Sequence, residues 1–183
     1  KDQARTIPAS KFPMIHQAVL AACDAQDGLR DGLIADPRLC KFDFASLTCH
    51  GEDNLSCLTV AQVATARTLT SPAVHPKSGE TIFPGLALGT ELGWGLRIGG
   101  PEPSPLGTDF VRYALFRNPD WDWRTFDLET AVAEADRLGE VIDAGPDLTA
   151  FMRRRGKLLL YHGWADQNFS AQSTIDYYRR VVD

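Results

Sequence analysis

The stretch Lys157-Leu158-Leu159-Leu160-Tyr161-His162-Gly163-Trp164-Ala165-Asp166 decides the fold class. Residues 158–161 form a continuous apolar run between two glycines, which is typical of a parallel β-strand buried on both faces. A helical pattern from Ala171 to Val182 follows at once. A buried strand, a polar turn and a helix are the repeating unit of α/β folds, whose functional groups lie at the carboxyl ends of strands. The sequence therefore predicts an α/β protein with its chemistry after Tyr161.

A lone buried strand cannot form a sheet, and the sequence contains no partner strands for it. We therefore expect residues 151–183 to belong to a larger α/β domain and residues 1–150 to form an insertion into it. The insertion should be irregular and helix-rich, with a Gly- and Pro-rich excursion over residues 72–105. Its candidate elements are helices at 12–22, at 59–69 with Thr59 as N-cap, at 109–116 after Thr108, at 129–142 and from Asp147 to Arg155, and an extended piece at 81–83.

Asp166 lies on the turn after the predicted strand. In α/β-hydrolases a carboxylate after a late strand orients the catalytic histidine and stabilises the imidazolium that forms. The alternative, an ordinary turn or N-cap aspartate, is equally compatible with the residues. His162 is only four residues earlier on the same turn, so a structural role is favoured for it over that of general base. No serine stands in a Gly-x-Ser-x-Gly elbow, so no complete Ser-His-Asp triad can be assembled from these residues.

The segment from residue 24 to residue 33, called here the Asp-rich loop, is a candidate Ca²⁺ site. Ca²⁺ takes six to eight oxygen ligands from carboxylates and backbone carbonyls of sharply turning loops. The candidate ligands are the side chains of Asp24, Asp27 and Asp31 and the carbonyls of Leu29 and Leu33. The loop is not an EF-hand, because its third and twelfth positions counted from Asp27 are Leu29 and Arg38. The alternative is a polar loop whose aspartates form Asx-turns.

Four cysteines, Cys23, Cys40, Cys49 and Cys57, lie in the first third of the chain and lack zinc-site spacing. Pairing them in sequence order gives two short loops, but two other connectivities and four free thiols are also open. A bridge between Cys23 and Cys40 would clamp the ends of the Asp-rich loop. It would also indicate an oxidising compartment.

The composition of the chain argues against two classes of binding partner. The 19 Lys and Arg against 24 Asp and Glu give a net charge of −5, and the basic runs are short, so no nucleic-acid partner is expected. No apolar run is long enough to span a membrane, and no membrane partner is expected. The chain begins with Lys1 rather than Met, which suggests a processed or internal piece, so the lack of a leader says nothing about compartment.

Several motifs together resemble the tannase and feruloyl esterase family, which includes mono(2-hydroxyethyl) terephthalate hydrolase. They are Ala21-Ala22-Cys23-Asp24-Ala25-Gln26-Asp27-Gly28-Leu29-Arg30-Asp31-Gly32-Leu33 with Asp36-Pro37 and Cys40 after it, the Cys49 and Cys57 pair, the stretch from Phe83-Pro84-Gly85-Leu86 to Glu91, Gly93 and Trp94, Phe116-Arg117-Asn118-Pro119-Asp120-Trp121 and Tyr161-His162-Gly163-Trp164-Ala165-Asp166. The resemblance covers nearly the whole chain. It implies an α/β-hydrolase fragment: residues 1–150 as a lid domain, and residues 151–183 as part of the catalytic domain.

The resemblance also implies roles for individual residues. Asp166 would be the triad acid, and His162 and Phe169 would line the pocket against the aromatic acyl group of the substrate. The Asp-rich loop would hold a structural Ca²⁺, and the disulfides would join Cys23 to Cys40 and Cys49 to Cys57. In the family the nucleophilic serine precedes the lid and the catalytic histidine follows the acid, each beside a cysteine. Neither motif occurs in this sequence.

The function expected from these residues and the resemblance is a secreted or periplasmic serine esterase. Its substrates would be feruloyl, galloyl or related phenolic esters, small or attached to plant polysaccharide, and these 183 residues alone would be inactive. The alternative is a calcium-stabilised, non-enzymatic carbohydrate- or ligand-binding module. It would use exposed Trp94, Trp121 and Trp123 as stacking platforms. The lone strand predicted at 157–161 disfavours this alternative, because a self-contained module would supply its own sheet.

Overall fold

The computed structural model describes residues 3–98, 102–139 and 144–183. Its regular structure is mostly helical, and a two-stranded antiparallel sheet pairs β1 (Ala73–Val74) with β2 (Thr81–Phe83). The helices are α1 (Phe12–Cys23), α2 (Val60–Thr70), α3 (Gly95–Ile98), α4 (Pro105–Asp109), a π-helix (Phe110–Leu115), α5 (Leu128–Leu138), α6 (Thr149–Arg153) and α7 (Ala171–Val182). Short 3₁₀ turns connect several of them.

The predicted helices α1, α2 and α7 are confirmed. The start of α2 shows why: the Thr59 hydroxyl accepts the Gln62 N–H at 3.2 Å, and the Gln62 side chain accepts the Thr59 N–H at 3.1 Å. This reciprocal capping box satisfies two of the backbone donors that a helix start leaves unpaired. The helix ends before Pro72, which has no N–H to continue it.

The predictions for the middle helices need correction. Thr108 is not a cap: α4 begins at Pro105, whose fixed φ suits the first helical turn, and Thr108 lies inside the helix. The chain then widens into the π-helix, in which the Phe116 N–H donates to the Val111 carbonyl five residues earlier at 2.8 Å. The helix predicted to end at residue 142 is described only to Leu138, and residues 140–143 lie outside the described part.

The helix α6 is shorter than expected and covers Thr149–Arg153. The Asp147 carboxylate accepts the Thr149 N–H at 2.9 Å, so it does bind at the helix start, although Leu148 holds the N-cap position. Arg155 adopts a positive φ of 60° before Gly156, which ends the helix earlier than the run of arginines suggested.

The hydrophobic core lies in the first hundred residues and centres on Trp94, which is 0 % exposed. The edge of Trp94 packs on Phe12 at 6.4 Å between ring centroids and on Phe44 at 6.0 Å. Its indole N–H donates to the Thr90 hydroxyl at 3.1 Å, so the polar end of the ring is satisfied. The other core members are Ile7, Ile15, Val19, Cys23, Cys40, Leu58, Val63, Ala66 and Leu86.

A buried cation joins this core to the second disulfide loop. Lys11 is 2 % exposed. Its ammonium forms an ion pair with Asp53 and donates to the Cys57 carbonyl at 2.8 Å and to the Gln62 side-chain oxygen at 2.9 Å. Three acceptors satisfy the three N–H donors of a lysine, which is the condition for burying its charge.

The buried strand predicted over residues 157–161 does not form among the described residues. That segment has no regular secondary structure and pairs with no described strand, and Leu159 and Tyr161 are 84 % and 91 % exposed. A strand needs neighbours for its backbone N–H and C=O groups, and no other described segment supplies them. The helix α7 forms nonetheless, because its hydrogen bonds are internal. No helix among the described residues is long and apolar enough to cross a membrane.

Candidate active site

The carboxylate of Asp166 is held on the turn that follows the exposed strand-like segment. We call residues 162–169 the acid-bearing loop. The Asp166 Oδ1 atom accepts the N–H of Asn168 at 2.7 Å and the N–H of Phe169 at 2.9 Å, and Oδ2 lies 3.3 Å from His162 Nε2. The N–H groups of Phe169 and Asn168, followed by His162, hold the pKa of the Asp166 carboxyl below its ordinary value of 3.8. The residue is therefore a fixed carboxylate at neutral pH.

His162 uses both of its ring nitrogens within this segment. Its Nε2 faces Asp166, and its Nδ1 lies 2.7 Å from the Thr174 hydroxyl on α7. A general base needs one ring nitrogen free to take the proton of a nucleophile. The arrangement supports the structural role that the sequence favoured, in which His162 links the acid-bearing loop to α7.

An aromatic cavity of about 690 Å³ opens beside the acid-bearing loop. Asn168 and Phe169 form one wall, and the opposite wall comes from the π-helix and from the segment that carries two tryptophans. The principal aromatic side chains are Phe110, Trp121, Trp123, Phe126 and Phe169. Among the described residues that line it, Arg97 carries the one formal charge. The cavity can hold a flat aromatic group, because ring edges and faces surround it and few polar groups compete.

The sequence motifs identified only part of this cavity. Phe169 was expected at a substrate pocket, and it does line the aromatic cavity. His162 lies instead on a smaller cavity of about 310 Å³, with Trp164, Ile175 and Tyr178. Phe110 and Phe126 were not expected at a site, since they come from segments far from the acid in sequence. The density of aromatic residues between 110 and 126 was the one hint available.

The Asp-rich loop forms a closed, exposed turn. The two carboxylate oxygens of Asp24 accept the N–H groups of Asp31 and Gly32, each at 3.2 Å. Asp27 and Asp31 each accept the N–H two residues on, the Asx-turn pattern. Gly28 and Gly32 have φ values of 93° and 80°, conformations that glycine adopts at little cost. The loop therefore has the turned backbone that was expected.

Whether this loop fits Ca²⁺ depends on its donors. They are hard oxygens on one turn, the chemistry that Ca²⁺ prefers. The three carboxylates do not converge, however. A metal site needs several acidic, histidine or cysteine ligand atoms close together. Among the described residues, three such atoms lie within 4.8 Å of one another only at Cys49, Asp53 and Cys57. The two sulfurs of that group form a disulfide. The donor chemistry fits calcium, the assembled geometry is not present, and calcium stays a prediction.

The sequence-order pairing of the cysteines is confirmed. Cys23 is bonded to Cys40 with a Cα–Cα distance of 5.4 Å, and Cys49 is bonded to Cys57 with a distance of 4.9 Å. The first bridge closes the segment that contains the Asp-rich loop, as expected. Cys23 is also fully buried, so this bridge fastens the exposed loop to the hydrophobic core.

Comparison with known proteins gives the family. A family model described as tannase and feruloyl esterase matches residues 1–183. The chain belongs to this family. The resemblance noted from the motifs is thereby confirmed over the whole chain.

Individual members of the tannase and feruloyl esterase family are similar to the chain in sequence and in structure. It is 36 % identical to an uncharacterized esterase of Xanthomonas campestris over 198 residues, covering 98 % of the chain and 34 % of that protein. It is 33 % identical to a probable feruloyl esterase B-2 of Aspergillus fumigatus, covering 94 % of the chain and 33 % of that protein. The crystal structure of feruloyl esterase B from Aspergillus oryzae superposes with a TM-score of 0.90 at 29 % identity, covering 100 % of the chain and 37 % of that structure. The chain thus spans about a third of the length of these relatives.

The alternative of a non-enzymatic binding module loses one of its platforms. It required an exposed Trp94, but this side chain is at the centre of the core. Trp121 and Trp123 are partly exposed, yet they face the aromatic cavity beside the acid-bearing loop. The family members named above are esterases, so the comparisons give this alternative no support.

Proposed function

We propose that this chain is the lid and the acid-bearing part of a serine esterase that hydrolyses aromatic carboxylic esters such as feruloyl or galloyl esters. The observation that carries the proposal is the position of the aromatic cavity. One of its walls is formed by Asn168 and Phe169, the two residues whose N–H groups hold the Asp166 carboxylate. A flat acyl group bound there would place its ester close to the end of a catalytic triad.

In this mechanism a serine attacks the ester carbonyl, and a histidine takes the serine proton and later gives it to the leaving alcohol. The Asp166 carboxylate fixes the tautomer of that histidine and stabilises its protonated form. Two backbone N–H groups occupy Oδ1, and Oδ2 lies 3.3 Å from His162 Nε2. A carboxylate oxygen has two lone pairs, so Oδ2 can also accept the N–H of the catalytic histidine. The sequence has no Gly-x-Ser-x-Gly elbow, so we place the serine and the histidine in parts of the enzyme outside these residues.

The proposed division is a lid over residues 1–150 and a piece of the catalytic domain over residues 151–183. The exposed run from Leu158 to Tyr161 supports it, because this run is apolar enough for the centre of a parallel sheet. In the full-length enzyme it would pair with neighbouring strands, and the acid-bearing loop would then lie at the carboxyl edge of that sheet.

The test uses the full-length enzyme that contains these residues, with methyl ferulate and methyl gallate as substrates. We expect hydrolysis by the wild type and a loss of kcat on the order of 10³- to 10⁴-fold in Asp166→Asn, because the amide cannot hold the histidine in the productive tautomer. Asp176→Asn on α7 is the matched control and should retain activity. No hydrolysis of either ester by the wild type, or full activity in Asp166→Asn, would contradict the proposal.

The 183 residues alone should not turn over these esters, since nucleophile and base are assigned to other segments. Incubating the isolated chain with methyl ferulate and following ferulate release checks this. Turnover above the buffer rate that Asp166→Asn removes would show that the assignment of those two groups is wrong.

We propose further that the Asp-rich loop binds a structural Ca²⁺ through Asp24, Asp27, Asp31 and the carbonyls of Leu29 and Leu33. The ion would supply charge compensation and stiffen the loop between Cys23 and Cys40. Calorimetric titration with Ca²⁺ should show one site, and a chelator should lower the thermal midpoint. Asp31→Asn should remove both effects, whereas Asp36→Asn, whose carboxylate pairs with Arg38 instead, should keep them. An unchanged midpoint with chelator overturns the metal assignment.

The compartment and the natural substrate complete the proposal. The two disulfides support an oxidising location, so we propose a secreted or periplasmic enzyme. The cavity is partly open to solvent, which leaves room for a phenolic ester attached to plant polysaccharide. Comparing kcat/KM for a feruloylated oligosaccharide and for methyl ferulate tests this. A value for the oligosaccharide far below that for the methyl ester would restrict the substrates to small esters.

A further inference from the structure

The lid contacts the acid-bearing loop at a point that requires glycine. A Cβ atom added to Gly93 would lie 1.6 Å from Gln167 Oε1, 2.1 Å from its Cδ and 2.5 Å from its Cβ. Rotation of the Gln167 side chain could move Oε1 and Cδ away, but its Cβ is fixed to the backbone, so a side chain at 93 requires the backbone at 167 to shift. Gly93 has no left-handed φ, and its own backbone does not demand glycine. The close approach of Gln167 is therefore the structural reason for a glycine here.

The surface that Gln167 rests on is fixed to the core. Gly93 directly precedes the buried Trp94 and closes the 3₁₀ turn that begins at Glu91. Glu91 is itself fully buried: one of its carboxylate oxygens accepts the Gly89 N–H at 2.8 Å, and the other lies 2.8 Å from His16 Nδ1 on α1. A turn anchored by a buried ring and a buried, fully bonded carboxylate has little freedom to shift.

A second contact holds the backbone of the same residue. The Nε–H of Arg97, on α3 one turn beyond Gly93, donates to the Gln167 carbonyl at 3.4 Å. Gln167 is bonded directly to Asp166, and the two amides that hold the Asp166 carboxylate follow it. The side chain and the carbonyl of Gln167 thus both rest on the lid, immediately beside the proposed triad acid.

We propose that Gly93 is a positioning residue for Asp166. By leaving room for Gln167, it sets the acid-bearing loop against the rigid core of the lid. The inference rests on the proposed function, because it gives the lid a part in the chemical step in addition to covering the substrate. Asp166 acts on the catalytic histidine and not on the ester. Asn168 and Phe169 of the same loop line the aromatic cavity, so a displaced loop should lower kcat strongly and raise KM by a smaller factor.

The experiment compares Gly93→Ala with Gly51→Ala in the full-length enzyme, with methyl ferulate as substrate. Gly51 is a lid glycine without positive φ, where an added Cβ meets no atom within 4 Å. We expect Gly93→Ala to lower kcat by about 10- to 100-fold, the range for a misplacement on the order of 1 Å, with a smaller change in KM and a thermal midpoint close to that of Gly51→Ala. Wild-type kcat in Gly93→Ala, whether or not KM changes, would overturn the inference.

A rescue distinguishes positioning from general damage. Gln167→Gly removes the atoms that the new methyl group would meet and adds none. We expect Gln167→Gly alone to lower kcat several-fold, and Gly93→Ala combined with Gln167→Gly to match it. If the factor by which kcat falls in the double variant is the product of the factors in the two single variants, residues 93 and 167 act independently. That result would contradict a direct contact between them. If Gly93→Ala does not fold, Gln167→Gly decides by itself, and wild-type kcat in that variant would overturn the proposal.

The failure of this inference can be distinguished from the failure of the proposed function. Suppose that the enzyme hydrolyses methyl ferulate, that Asp166→Asn abolishes this activity and that Gly93→Ala leaves it unchanged. The esterase assignment then stands, and the positioning role of Gly93 is wrong. An enzyme that is fully active in Asp166→Asn loses the esterase mechanism itself, whatever residue 93 is.

Discussion

Trp94 and Leu159 are both large apolar side chains, yet the first is 0 % and the second 84 % exposed. They represent two regions. Residues 7–94 contain the core cluster, both disulfides and the buried Lys11. Among the described residues from 144 onward, Ala171 is the only buried apolar one. The first region contains the hydrophobic core and satisfies its buried polar side chains. The second carries the candidate chemistry but leaves most of its apolar surface uncovered.

The difference shows how the molecule separates stability from chemistry. Burial of apolar area is the main favourable term in folding, so the stability of this chain has to come from the first region. The acid-bearing loop then takes its position from that region, through Gln167 on Gly93 and through Trp164, whose ring lies 5.1 Å from the Arg38 guanidinium. Disturbing the first region should therefore affect the second, and the reverse effect should be small.

The largest expected effect comes from emptying the core. Trp94→Ala should lower the free energy of unfolding by about 3–5 kcal/mol, because the truncation removes buried ring surface and leaves a cavity. Leu159→Ala is the control from the second region and should change it by no more than about 0.5 kcal/mol. Urea denaturation of the two variants measures both values. Equal losses would mean that the two regions share one core.

The disulfides should have the next largest effect. Replacing Cys23 and Cys40 by Ala should cost about 3 kcal/mol in the chain-entropy model. The bridge between Cys49 and Cys57 closes 8 residues instead of 17, and the model gives about 0.7 kcal/mol less for the shorter loop. Thermal unfolding of the two double variants compares them. A larger loss from the shorter loop would show that Asp53 and Lys11 depend on that bridge.

The smallest effect concerns the Asp166 carboxyl, which lies on the partly exposed loop. Its pKa is lower in the folded protein than the ordinary value of 3.8, chiefly because of the Phe169 and Asn168 N–H groups. The stabilisation is therefore complete above that ordinary value and is lost as pH falls through the folded pKa. Carbon NMR of the carboxyl group should give a midpoint below 3.8. A midpoint at or above the ordinary value would mean that the two amides do not hold the carboxylate.

Local patterns predicted what is locally determined. The capping box of α2, the amphipathic spacing of α1 and the helix after the acid-bearing loop need only neighbouring residues, and all three formed as expected. The cysteine pairing is the one that the family resemblance implied, whereas the residues alone left two other connectivities open. The position of Asp166 on a turn after an extended segment was also predicted from its local context.

What the sequence could not provide depends on distant segments. The run at 158–161 has the composition of a buried strand, but strands form only with partners, and none is described here. The π-helix could not be distinguished from an α-helix, because both have a one-sided apolar face. The aromatic cavity joins residues near 110 and 126 to Phe169, and the Gly93 contact joins residues 74 positions apart. Periodicity within one segment carries no information about such pairs.

Hydrogen exchange on the isolated chain and on the full-length enzyme tests the central comparison most directly. We predict that the amides of α2 are protected in both proteins, since the first region is complete in itself. We predict that the amides of Leu158 to Tyr161 exchange rapidly in the isolated chain and become protected by orders of magnitude in the full-length enzyme, where neighbouring strands pair with them. Rapid exchange of these amides in both proteins would contradict the account, because the acid-bearing loop would then have no sheet beneath it.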